Sequence, residues 1–355
     1  MKRITALLLA ILMLVACLSG CGASQAPAND APKAEAPKAE APKADEAAKK
    51  EPLVIAVQSM YASYPMGLIL AENMAEEYGL ELEIEVFSSG ATINEAMGEW
   101  DIAVTGGAFV YALANYDCKL IAHQLDGTAC NDFVCRPGTK WEAAKDDPEA
   151  MKEALKDANV LCNVGTTGHY AFCLWLESLG MQPEDVNFMS MDFATVYASW
   201  LAGEGDLCVM VAPYVNMDHG GVTLNSLGGV GGNLFEATVC TKDAYENRYD
   251  DVVAFTKMLY KACDMLAADD ELALKTAYAW YTDNGKEMTE DEVLAELEAK
   301  PVFTSDYAKT LNLEDFACSY ANYFVSQELI EADKLDVVRA NCANDVLQDA
   351  MKDFS

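Results

Sequence analysis

Cations and histidines are scarce in this chain of 355 residues. It carries 24 lysines and arginines against 57 aspartates and glutamates, a formal net charge of −33, and only 3 histidines. Such an acidic surface repels nucleic acid and anionic lipid head groups, because like charges face each other. Since the sequence also has no basic cluster, we expect no nucleic-acid partner.

Motifs for metal binding and nucleophilic catalysis are also missing. The cysteines form no C-x-x-C pair, and His123, His169 and His219 are scattered along the chain, so a structural zinc is not expected. No G-x-S-x-G segment presents a nucleophilic serine. The sequence therefore predicts a protein without cofactor or enzymatic activity. Most cysteines lie in apolar runs typical of buried thiols; a disulfide between Cys130 and Cys135 remains open.

The N-terminus has the pattern of a secretory signal. Lys2 and Arg3 precede an apolar run over 4–18, which is short for a membrane span of about 20 residues. The sequence LSGC at 18–21 resembles the bacterial lipobox, whose cysteine is lipidated and becomes the mature N-terminus. This resemblance implies a signal peptide over 1–20 and a lipid anchor at Cys21, on the extracytoplasmic face of the cell membrane.

A low-complexity segment follows the lipobox. Residues 21–52 contain the tandem pentads APKAE, APKAE and APKAD, and have no aromatic and no large aliphatic residue. Such a composition cannot bury enough apolar surface to fold. Frequent proline favours an extended chain of about 3 Å per residue. We expect a disordered tether that lifts a folded body away from the membrane.

From residue 53 onward, short apolar runs alternate with helical patterns. The runs are LVIAVQ (53–58), LEIEVF (82–87), DIAVTG (101–106), KLIAHQ (119–124), NVLCNVG (159–165), VNFMSM (186–191), LCVMVA (207–212), VTLNSL (222–227) and EATVCT (236–241). This alternation predicts an α/β fold with largely parallel sheets. From about residue 250 the amphipathic spacing of apolar residues predicts a helical C-terminal region.

Two segments echo each other and indicate two lobes. GEWDIAV at 98–104 and GEGDLCV at 203–209 each follow an amphipathic helical pattern and open a strand. A glycine that ends a helix before an aspartate turn is common by itself. The matched surroundings favour a repeated half-domain unit.

The motifs in this order resemble the nitrate/sulfonate/taurine-type substrate-binding proteins of ABC transporters, over residues 53 to about 300. The resemblance implies a two-lobe type II periplasmic-binding-protein fold with ligand in the cleft. We expect the first lobe to run over 53–134, the second over 135–235, and the return to the first lobe with C-terminal helices over 236–355. It further implies a monomer that closes on one small polar, anionic or zwitterionic solute and delivers it to permease and ATPase subunits.

The segment NVGTTGHY at 163–170 supplies the first candidate binding residues. The candidates lie between the end of a predicted strand and the start of a predicted helix: Thr166, Thr167, Gly168 and His169. At such a position, free backbone N–H groups and the helix dipole favour an electronegative ligand. The alternative is an ordinary helix cap. Thr105, Gly106 and Gly107 repeat the arrangement in the first lobe.

Other candidates also follow strands: Gln58, Ser59, Tyr61, Tyr64, Asp192, Pro213 and Tyr214. Asp192 can pair with an ammonium group or simply cap the next helix. Pro213 and Tyr214 match the x-Pro-Tyr turn of the resembling family. Because these turns contain no arginine or lysine, a zwitterion or a neutral ring with polar edges fits better than an unpaired anion. Sulfonate-, taurine-, nitrate- and pyrimidine-type solutes all stay open.

Two other functions remain as alternatives. An enzyme of thiamine-pyrimidine synthesis on the same fold would need a reactive cluster, for which His169 with Cys162 or Cys173 is the candidate. A ligand sensor without a permease would use the same cleft for signalling.

Overall fold

The computed structural model describes residues 51–326 and 328–354. The signal peptide over 1–20, Cys21 and the tether up to residue 50 lie outside these residues. The strands, in chain order, are β1 (Leu53–Gln58), β2 (Leu82–Phe87), β3 (Ile102–Thr105), β4 (Lys119–Asp126), β5 (Asn131–Cys135), β6 (Asn159–Cys162), β7 (Asn187–Ser190), β8 (Leu207–Val211), β9 (Val222–Ser226) and β10 (Phe235–Cys240).

These strands form two sheets with the same plan. The first has the order β2-β1-β3-β10-β4 and the second the order β7-β6-β8-β5-β9. In each sheet the first three strands are parallel, and a strand arriving from the other sheet pairs antiparallel with the third. The central strands β3 and β8 are buried along their whole length, which explains their unbroken apolar sequences.

Helices cover both sheets and dominate the C-terminal third. They are α1 (Pro65–Ala71), α2 (Gly90–Glu95), α3 (Phe109–Tyr116), α4 (Lys140–Ala143), α5 (Pro148–Leu155), α6 (Thr167–Ser178), α7 (Phe193–Leu201), α8 (Lys242–Asn247), α9 (Tyr249–Ala268), α10 (Asp270–Asp283), α11 (Glu290–Ala299), α12 (Ser305–Ala308), α13 (Leu313–Ser326), α14 (Lys334–Ala340) and α15 (Asn344–Met351). Each described helix is too short or too polar to cross a membrane.

Two adjacent connections join the lobes. The chain leaves the first sheet through residues 127–130 and returns through residues 227–234. Gly127 N–H donates to the Leu234 carbonyl at 2.8 Å, and Leu234 N–H donates to Thr128 Oγ1 at 3.0 Å. The second sheet begins with β5 at Asn131, so the described structure places this lobe boundary before residue 135.

The echoing segments occupy equivalent places in the two lobes. Asp101 accepts a hydrogen bond at Oδ2 from Val54 N–H at 2.9 Å and donates its own N–H to the Val54 carbonyl at 2.8 Å. Asp206 makes the same pair of bonds with Asn159, at 2.9 and 2.8 Å. Each aspartate therefore ties the start of one strand to its parallel neighbour, which is a structural reason for the repeated motif.

All cysteines from Cys118 onward are free thiols, including Cys130 and Cys135. Eight of the ten are buried, where they fill the core as small apolar side chains.

Candidate functional site

A small cavity lies between the carboxyl ends of the strands of the two sheets. Its volume is about 30 Å³, which is room for water-sized groups only. The lining residues are Gln58, Met60, Tyr61, Gly90, Gly106, Gly107, Ala108, Thr166, Thr167, Gly168, Phe193, Val211 and Glu236. Because the space is this small, a larger solute requires the lobes to separate or the lining side chains to shift.

The second lobe presents the N-terminus of α6 to the cavity. Thr166 is the N-cap residue in extended conformation, yet its side chain does not cap the helix. Instead its hydroxyl donates to the Asn163 carbonyl at 2.6 Å. The first N–H groups of α6 therefore keep their capacity to donate, as at an anion- or acceptor-binding helix end.

The first lobe presents the turn over 105–108, which leads into α3. A Cβ added at Gly107 would overlap Thr167 Oγ1 of the other lobe and would lie 2.5 Å from the Tyr320 hydroxyl oxygen. The lobes thus touch at a point where only glycine leaves room. Tyr320, on α13, also donates to Thr167 Oγ1 at 3.4 Å.

The last residue of β1 and a residue of the turn after it complete the polar lining. Gln58 donates from Nε2 to Thr105 Oγ1 at 3.3 Å, which places Thr105 directly behind the cavity wall. The Tyr61 hydroxyl donates to Glu236 Oε1 at 2.7 Å. Burial raises the pKa of Tyr61 well above its usual range, so the phenol stays neutral and donates.

Glu236 is a fully buried carboxyl group in the cavity wall. Its Oε2 has no hydrogen-bond partner among the described residues, and a Cβ at Gly106 would lie 2.5 Å from that atom. Burial raises the pKa of Glu236 to about 8, although the Tyr61 hydrogen bond and the charge of Lys300 act in the opposite direction.

Seven of the residues predicted from the sequence line the cavity together: Gln58, Tyr61, Gly106, Gly107, Thr166, Thr167 and Gly168. The other predicted residues lie outside its lining. Ser59 is half-buried and bonds through its N–H to Phe87. Tyr64 is buried as the N-cap residue of α1. Tyr214, which follows the cis peptide bond before Pro213, accepts from Lys286 Nζ at 2.9 Å.

Asp192 is exposed and caps α7. Its Oδ1 accepts from Thr195 N–H at 3.0 Å, and its Oδ2 accepts from the Thr195 hydroxyl at 2.7 Å. These hydrogen bonds lower the pKa of Asp192 below its ordinary value. The structure thus shows the capping arrangement that the sequence left as an alternative to ligand pairing.

His169 belongs to the core of the second lobe and not to the cavity. Its ring packs edge-on against Phe188, and its Nε2 lies 3.6 Å from Cys173 Sγ. Burial lowers the pKa of His169 to about 4 and raises that of Cys173 to about 11. A neutral imidazole beside a protonated, buried thiol is not an activated nucleophile.

Sequence reasoning missed six lining residues: Met60, Gly90, Ala108, Phe193, Val211 and Glu236. Only Glu236 carried a usable signal, because it is an isolated acid inside an otherwise apolar strand. A charge at such a position has to be neutralised or paired.

Two lobes joined by two adjacent connections, with polar turns facing one cavity, define a periplasmic-binding-protein architecture. Residues 46–279 match the NMT1-like family, and the chain belongs to that family. It is 28% identical over 309 residues to an ABC transporter periplasmic binding protein of Brachyspira hyodysenteriae, covering 84% of this chain and 89% of the relative.

Solved structures share the fold. The alkanesulfonate-binding protein from Xanthomonas axonopodis pv. citri bound to MOPS superposes with a TM-score of 0.66 at 17% identity, covering 83% of this chain and 99% of that one. The periplasmic nitrate-binding protein from Synechocystis PCC 6803 superposes with a TM-score of 0.67 at 15% identity, covering 85% of this chain and 89% of that one. These similarities confirm the predicted α/β fold. The relatives are binding proteins and not enzymes, in agreement with the sequence prediction.

Proposed function

We propose that the chain is the solute-binding lipoprotein of an ABC importer, anchored through Cys21 on the extracytoplasmic face of the cell membrane. In this function it closes on one small polar, anionic or zwitterionic solute and delivers it to permease and ATPase subunits. The names of the alkanesulfonate-binding and nitrate-binding relatives support a solute of sulfonate or nitrate type, and taurine or a pyrimidine-type ring is an alternative. Binding consists of capture and release, with no bond made or broken.

The meeting of two turns from opposite lobes at one cavity carries this proposal. Gly107 precedes α3 and Thr167 begins α6, and the structure brings them into direct contact. Backbone N–H groups at both helix starts can then bind the acceptor atoms of one solute. Ligand contact at both turns favours the closed arrangement, because it links residues of the two lobes.

A thermal-unfolding screen tests the function. The purified protein is scanned with alkanesulfonates, taurine, nitrate, carboxylates, amino acids and pyrimidines. A ligand at 100 times its Kd adds about 2.7 kcal/mol of stability, which raises the midpoint by several degrees in a protein of this size. If no compound shifts the midpoint, and mass spectrometry finds no solute in the purified protein, the proposal is wrong.

Thr167→Val tests the contribution of the second lobe. Thr167 lines the cavity, so we expect that removing its hydroxyl group leaves a polar group of the solute unpaired and weakens binding by about 1–3 kcal/mol. The matched control is Thr282→Val, at an exposed position of α10. Titration calorimetry measures the affinity of both variants for the best compound of the screen. If Thr167→Val binds as tightly as Thr282→Val, Thr167 does not contribute to binding.

A further inference from the structure

Glu236 differs from every other group in the cavity wall. It is the one ionisable carboxyl group in the lining, and the lining contains no lysine or arginine. Its backbone lies at the start of β10, directly after the second connection between the lobes. A buried acid at this position adds a carboxyl group to a lining whose other polar side chains carry hydroxyl and amide groups.

Glu236 lines the cavity, and one of its two carboxyl oxygen atoms lacks a hydrogen-bond partner. The Tyr61 hydroxyl donates a hydrogen bond to Glu236 Oε1 at 2.7 Å, whereas Glu236 Oε2 has no hydrogen-bond partner among the described residues. Gly106 leaves the space that Oε2 occupies, since any Cβ there would lie 2.5 Å away. A buried polar atom without a partner is costly. A nitrogen donor on the solute would remove that cost.

A buried ion pair lies close to Tyr61. Lys300 is buried and lies 3.8 Å from Glu296 Oε1, so these two side chains neutralise each other. The Tyr61 ring separates Lys300 from Glu236, with Lys300 Nζ 5.3 Å from the ring centroid. The ammonium group of Lys300 is thus paired with Glu296, and Glu236 has no cation of its own. Glu236 therefore becomes a carboxylate only if the solute supplies a positive charge beside it.

We propose that Glu236 determines specificity by pairing through Oε2 with a nitrogen that bears hydrogen, an ammonium, amidinium or ring amino group of the solute. The acceptor end of the same solute then lies at the starts of α3 and α6. The ligand class is thus a compact zwitterion or an amino-substituted ring. This inference rests on the proposed function and narrows it.

Binding of such a solute couples to loss of a proton. The unliganded carboxyl group holds its proton at neutral pH, because burial raises its pKa to about 8. A cationic nitrogen at Oε2 favours the carboxylate, and the proton leaves to solvent. The other titratable groups around Glu236 are Tyr61, His123, Asp126, Cys130, Lys300 and Tyr320.

The experiment uses matched pairs of compounds that differ in one amino group. The pairs are taurine with ethanesulfonate, β-alanine with propionate, and 4-aminopyrimidine with pyrimidine. Affinities of the wild-type protein and of Glu236→Gln are measured by titration calorimetry at pH 7, in two buffers with different ionisation enthalpies. Glu83→Gln, at an exposed position of β2, is the control for the substitution itself.

The wild-type protein and Glu83→Gln should bind one amino compound at least ten-fold more tightly than its partner, and should release close to one proton if that compound carries an ammonium group. Glu236→Gln should lose that ratio and the proton release, and should keep its affinity for the compound without the amino group. Equal affinities within every pair, an unchanged ratio in Glu236→Gln, or binding of an ammonium compound without proton release would overturn the inference and leave the proposed function standing. If the wild-type protein binds no compound of these pairs or of the wider screen, both fail together.

Discussion

Single buried side chains control how stability responds to pH. The pKa of Glu236 is about 8 in the folded protein against an ordinary value of 4.5. Between these pH values the folded protein keeps a proton that the unfolded chain has lost, so stability falls as pH rises from about 4.5 to about 8. Burial lowers the pKa values of His123 and His169 from 6.5 to about 4. Between these pH values their contribution to stability rises with pH, which is opposite to that of Glu236.

Glu236→Gln should remove the contribution of the carboxyl group and leave that of the histidines. Without ligand, the difference in Tm between the variant and the wild-type protein should therefore grow in favour of the variant as pH rises from 5 to 8. Calorimetric scans across this range measure it. Parallel Tm curves for the two proteins would show that Glu236 titrates normally.

Some of the residues that line the cavity could be predicted from the sequence and others could not. The turns over 105–107 and 166–168 were predictable because each follows an apolar strand and carries glycine. Phe193 and Val211 could not be found in this way, since their sequence neighbourhoods read as ordinary helix and strand. They reach the cavity only because the two sheets face each other.

At the scale of elements, most predicted strands coincide with observed ones, because their apolar runs are short and bounded by polar turns. β1 and β2 have the predicted ends. The helical pattern after β1 is interrupted instead: α1 ends at Ala71, Asn73 adopts a left-handed φ of 49°, and a 3-10 helix follows over Met74–Tyr78. Periodicity alone does not reveal such a break.

The cap of α7 gives a test at this scale. Asp192→Ala removes the acceptor of Thr195 N–H and should lower the free energy of unfolding by about 1 kcal/mol, the usual value of an N-cap. Because Asp192 lies outside the cavity, affinity for amino-bearing and amino-free solutes should not change. Denaturant unfolding and calorimetry measure the two effects. If Asp192→Ala selectively weakens the binding of amino-bearing solutes, Asp192 contacts the ligand after all.

Elements of the C-terminal region hold the second lobe on both sides of the cleft. From α13, Tyr320 contacts Thr167 and Tyr170. Near α11, Lys286 donates to Tyr214, and Glu296 accepts from Asn216 at 3.2 Å. The sequence indicated a helical end of the chain, but it did not indicate these contacts, because they join residues far apart in sequence.

For the whole molecule, two lobes were predictable from the echo at 98–104 and 203–209, which the structure places at equivalent strand starts. The exact crossing points were not, because β5 and β10 carry the same kind of apolar sequence as strands that stay in their own lobe. Pairing partners, and not local composition, decide to which sheet such a strand belongs.

The most direct test of solute capture between closing lobes is the affinity of Gly107→Ala for the best compound of the screen. The added methyl group must displace Thr167 of the second lobe and the Tyr320 hydroxyl, so we expect it to hinder closure of the lobes. Gly228→Ala is the control, because its Cβ would meet only Thr128 Cγ2 at 3.6 Å. We predict at least a ten-fold weaker Kd for Gly107→Ala and wild-type affinity for Gly228→Ala. Wild-type affinity in Gly107→Ala would contradict binding between closed lobes.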